Sequence, residues 1–117
     1  MADYYDIHGN PLSLYEWAAL FEFGLGYRYV DQTLLEDGTK ISTIWLGLNH
    51  QFDPDGPLEI FESMVWDGQG EETDCERYAT YEEAKHGHAT LVARESERLM
   101  ERTKGEAGNH GHACNEP

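Results

Sequence analysis

The chain predicts an α+β fold: a small antiparallel three-stranded meander with a short N-terminal helix and a long C-terminal helix packed on it. Three observations carry that expectation. Two segments, one near each end, open with Ser/Thr-x-x-Glu capping boxes and continue with apolar residues at helical spacing. Three segments between them are rich in β-branched and aromatic residues, as strands are. The connections are short and dense in turn formers, which favours neighbouring antiparallel strands. The 117 residues suit one domain, expected over 1–104, followed by a polar, His-rich tail at 105–117 with no core pattern.

Residues 1–12 read as an irregular lead-in, broken at Asn10-Pro11. Ser13 and Glu16 then form a capping box, with Leu12 and Trp17 placed as a hydrophobic staple. Apolar Leu14, Trp17, Ala18, Leu20 and Phe21 follow at helical spacing, and Gly24 and Gly26 stop the helix. Tyr27 to Leu35 reads as the first strand, and Asp37-Gly38 as a hairpin turn. Ile41 to His50 carries large apolar groups on both faces, the pattern of a central strand covered on each side. Leu58 to Trp66 is the third strand, and Asp67 to Arg77 a polar acidic loop. Thr80 and Glu83 open the second capping box, and a helix runs from there to about Lys104, stopped by Gly105. Gly87 inside it costs about 1 kcal/mol relative to Ala, which points to close packing of helix backbone on the sheet.

Lys and Arg number 8 against 23 Asp and Glu, a formal net charge of −15. That balance excludes nucleic-acid binding by phosphate neutralisation, and docking on an anionic membrane surface. No apolar run approaches the roughly 20 residues that span a bilayer, and no charged leader is evident. Cys75 and Cys114 sit in polar contexts, too few for a disulfide scaffold, and are expected to be reduced thiols in a cytoplasm. Between Asp53 and Glu83 stand eleven acids against Arg77 alone, so this stretch holds −10 of the charge. Asp53, Asp55, Glu59, Asp67, Glu71, Glu72, Asp74 and Glu76 are expected to form one acidic edge that meets a basic protein surface. The bland alternative is solubility. Arg94, Arg98 and Arg102 form a basic stripe along the long helix.

Catalytic signatures are missing: there is no nucleophile elbow, phosphate loop, dinucleotide fingerprint or His-Glu-x-x-His. No catalytic residue, metal ligand set or cofactor is therefore assigned. His50, Glu62 and His88 are candidates for a polar pocket where strand and helix meet, and a small-ligand or metal site there is one alternative function. His110, His112 and Cys114 match no closed zinc-site spacing.

The blocks ISTIWLGLNHQF (41–52), PLEIFESMVWDG (57–68) and RYATYEEAKHGHATLV (77–92) resemble a family of small uncharacterised proteins encoded by tailed bacteriophages and prophages, especially of actinobacteria. Members read STVWLGL-D-H-F, then IFETMVF, then RY-T-EEA-GH. The likeness covers about residues 36–93 and singles out Trp45, Leu46, Asn49, His50, Phe61, Glu62, Met64, Tyr78, Glu83, Ala84 and His88. Asn49 stands where the family has aspartate, and Ser63 where it has threonine. The resemblance implies a phage-encoded protein acting in the host bacterial cytoplasm and implies no reaction. The leading expectation is an acidic protein-binding module that modulates or inhibits a host or defence protein. A minor virion or assembly protein, with a homo-oligomer formed through a sheet edge, is the remaining alternative.

Overall fold

The computed structural model describes residues 3–50 and 55–103. A small hairpin comes first, β1 (Tyr4–Tyr5) with β2 (Pro11–Leu12). Helices α1 (Leu14–Phe23) and α2 (Leu25–Arg28) follow, then strands β3 (Tyr29–Leu34), β4 (Lys40–Trp45), β5 (Phe61–Trp66) and β6 (Glu72–Tyr78), and finally α3 (Tyr81–Thr103). Strands β3 to β6 form one antiparallel sheet in chain order. The α+β class, the meander and the long C-terminal helix are as expected, but the sheet has four strands instead of three. The expected tail at 105–117 lies outside the described residues.

The N-terminal helix is built as its capping box requires. Ser13 Oγ accepts the Glu16 N–H at 3.1 Å, and Glu16 Oε1 accepts the Ser13 N–H at 2.8 Å. The second box is shifted. Thr80 Oγ1 accepts the Glu83 N–H at 3.1 Å, while Glu83 Oε1 reaches past the cap to the Ala79 N–H, also at 3.1 Å. The lead-in is not irregular: Asp6 Oδ1 accepts the N–H groups of His8 and Asn10 and turns β1 back onto β2.

The fourth strand was missed because its sequence carries no strand pattern. Residues 72–76 alternate charges with small polar groups, and Arg77 and Tyr78 follow, so no apolar–polar alternation marks the strand. They form a strand because neighbours answer those charges: Asp74 meets Arg94 of α3, and Arg77 meets Glu62 of β5. As an edge strand, β6 also benefits from charges that discourage pairing with other chains. The strand expected to run to His50 ends at Trp45, since Gly47 (φ +73°) takes a left-handed turn and the ring of Trp17 lies against it.

Side chains of Ile41, Thr43 and Trp45, of Phe61, Ser63 and Val65, and of Asp74 and Tyr78 point to the sheet face that α3 covers. The core is in two parts. Trp45, Phe61, Ile60, Tyr5 and Ala84 pack with Trp17, Phe21 and Tyr27 at one end. Ile41, Val65 and Leu91 pack with Leu35 and Val92 at the other. Strand β4 is buried under α3 at Ile41, Thr43 and Trp45, and on its opposite face Ser42 is also buried and Ile44 half-buried. Cys75 is buried and is not a free thiol, so the expectation of two reduced cysteines does not hold for it.

Candidate functional site

Between the two apolar clusters lies a buried polar layer. His88 of α3 is 3% exposed. Its Nδ1 stands 2.7 Å from Thr43 Oγ1, and its Nε2 stands 2.8 Å from Thr33 Oγ1. Thr43 Oγ1 is 2.5 Å from Ser63 Oγ, which accepts the Tyr78 hydroxyl at 3.1 Å. The chain of hydroxyls therefore crosses all four strands and includes one imidazole. With Tyr78 donating, one assignment that satisfies every group runs the hydrogens in one direction. Ser63 donates to Thr43, Thr43 donates to His88 Nδ1, and the Nε2–H donates to Thr33. This arrangement needs neutral His88. Burial holds its pKa below the usual value, and the nearby Lys85 charge adds to that; Asp31, whose Oδ2 is 4.0 Å from Nε2, opposes both.

The layer satisfies its own polar groups. It explains why His88 sits on an apolar helix stripe, and it accounts for Gly87. A Cβ at residue 87 would collide with the Tyr78 ring, so only glycine lets that ring lie against the helix backbone.

The proposed His50, Glu62 and His88 pocket does not form. His88 lies under α3, whereas Glu62 lies on the opposite face of β5, with Oε2 3.2 Å from Arg77 Nε. Two residues one register position apart in a strand point to opposite faces, and Glu62 neighbours Ser63 of the His88 face. His50 lies beyond the end of β4, where its N–H donates to the Glu59 carbonyl. Among the described residues no group of three or more His, Cys, Asp and Glu side chains could hold a metal ion.

The acidic residues expected to form one edge do not lie together. Asp67, Glu71 and Glu72 surround the β5–β6 turn, where Asp67 Oδ1 accepts the N–H groups of Gln69 and Glu71. Asp55 and Glu59 lie near the start of β5, about 20 Å away along a six-residue strand. Asp74 is buried, with Oδ2 2.6 Å from Arg94 Nη1, and so does not belong to a surface edge. Glu76 is exposed on β6. Asp53 lies outside the described residues. Two further exposed acids, Glu82 and Glu83 in the first turn of α3, stand next to Tyr78 and join the group at the Glu59 end. Their place at the end of β6 could be read only with that strand in hand.

The bases are arranged differently. Arg94 bridges Asp74 and Glu95, and Arg98 also contacts Glu95. Burial opposes the charge on Arg94, but the hydrogen bonds it donates to Glu95 and Asp74 outweigh it and hold its pKa above the usual value. Arg102 is bound by Asp37, Lys85 lies 3.8 Å from Asp31, and Arg77 is held by Glu62. Lys40 sits over the Trp66 ring and Arg28 over the Phe21 ring. The basic stripe expected on α3 is thus a set of links to the sheet and along the helix. Each basic side chain among the described residues has an internal partner.

No helix among the described residues is long and apolar enough to cross a membrane. No family model, curated protein or solved structure matches this chain.

Proposed function

We propose that this is a phage-encoded acidic binding module that modulates or inhibits a host or defence protein by occupying its basic surface. One observation carries the reading. The described lysines and arginines each have an internal contact, so the field presented outward comes from exposed acids, Glu76 and Glu82 among them. A one-signed surface speeds encounter with a partner of opposite charge and rejects partners of like charge.

The test is capture from host lysate with the wild-type chain and with a Glu59→Gln, Glu76→Gln, Glu82→Gln variant, at low and at high salt. The reading expects a basic protein held at low salt, released at high salt, and not held by the variant. Retention of nothing basic at low salt removes it.

A further inference from the structure

A groove of about 520 Å³ runs beside the first turns of α3, lined by Tyr78, Glu82, Glu83, His86 and Gly87. Three of its features are fixed by the fold. The Tyr78 ring lies against the helix because residue 87 has no side chain, and its hydroxyl is anchored on Ser63 at 3.1 Å. Glu83 Oε1 accepts the Ala79 N–H at 3.1 Å, which holds this exposed carboxylate beside the groove. Glu82 is exposed beside it. Among the described residues no lysine or arginine lines the groove, whose one imidazole is His86, and the adjacent Lys85 lies 3.8 Å from Asp31.

We infer that this groove receives an arginine side chain from the partner's basic surface. The inference rests on the acidic-module reading and names the point at which such a partner is gripped. The chemistry selects arginine over other residues. A planar guanidinium stacks on the face of a tyrosine ring, and its fork of N–H donors matches carboxylate oxygens at the rim. A lysine ammonium is a compact, strongly hydrated charge and gains less from the ring. The arginine methylenes cover the apolar floor between Tyr78 and Gly87. Because the ring is already held in place, little order is lost when the guanidinium arrives.

The experiment is an amide chemical-shift titration of the full chain with a short oligoarginine peptide at low salt, beside the uncharged oligocitrulline of the same length. The groove predicts shifts centred on Tyr78, Glu82 and Gly87 with oligoarginine and none with oligocitrulline. Glu82→Gln is expected to weaken binding about three- to fivefold, the size of one partly exposed charge pair, while Glu71→Gln at the far turn leaves it unchanged. Oligoarginine that binds with its shifts centred on Asp67 to Glu72, or that ignores Glu82→Gln, overturns the groove and leaves the acidic-module reading standing. Absence of binding at low salt overturns both.

Discussion

The two faces of the four-stranded sheet are built from alternate residues of the same strands, yet they solve opposite problems. Under α3 the middle of the sheet carries short hydroxyl side chains, Thr33, Thr43 and Ser63, arranged around one buried imidazole. On the other face stand long side chains that cover one another. Lys40 lies 5.4 Å from the Trp66 ring centre, Glu62 meets Arg77, and Gln32 Nε2 donates to Ser42 Oγ at 2.6 Å. A helix backbone brought close to a sheet leaves room only for small groups, and water is excluded from them, so every hydrogen bond must be made internally. The other face uses longer pairs at half-buried and exposed positions, where water partly replaces a lost partner, although Ser42 and Cys75 are buried there too.

The largest expected contrast is apolar. Phe61→Ala, at a fully buried position under α3, is expected to cost about 3–5 kcal/mol, against about 1 kcal/mol for Met64→Ala on the half-buried opposite face. Denaturant unfolding checks this, and equal losses would mean that the two faces are equally covered. Next comes the hydroxyl chain. Thr43→Val strands both His88 Nδ1 and Ser63 Oγ and is expected to lose about 1–3 kcal/mol. Ser42→Ala, next to it in sequence but facing away, loses only the Gln32 contact, about 1 kcal/mol or less.

A third contrast is in pH. The folded-state pKa of His88 lies below its unfolded value, so the unfolded chain binds the extra proton first. Its contribution to stability is complete above about pH 6.5 and declines as the pH falls through the window between the unfolded and folded values. Unfolding midpoints measured between pH 7.5 and about pH 5 are expected to fall, and a His88→Gln chain is expected to lose that part of the slope. An unchanged slope would assign the pH dependence to other groups. The smallest effect is expected at Arg77→Ala, which breaks a partly exposed pair and costs about 1 kcal/mol or less, with the loss shrinking further in high salt.

The legible parts of the fold were those with local causes. The Ser13–Glu16 box, the Asp37-Gly38 turn, the helix from Tyr81 and the strand cores at Lys40–Trp45 and Phe61–Trp66 each have a signal within a few residues. Strand β6 had none, since its charges make sense only against Arg94 and Glu62, which lie on other elements. The candidate site was legible in part. His88 was placed correctly on the buried stripe of its helix, and Gly87 correctly marked close packing. Glu62 was misplaced: without the pairing register, a mid-strand glutamate among apolar neighbours reads as buried on the covered face. Asp74, counted with the surface acids, turned inward to Arg94 for the same reason.

By itself the sequence determined the class of the fold, the ends of its main helices and the sign of its charge. These follow from capping, from periodicity and from a count of ionisable groups, none of which needs a distant residue. Tertiary structure alone decided which strand face meets α3, which acids are bound by arginines and which remain outward, and that Tyr78, Ser63, Thr43, His88 and Thr33 form one chain. The reason is that strand register and ion pairing are choices among partners far apart in sequence, and close packing settles them only when the whole sheet and its helix assemble together.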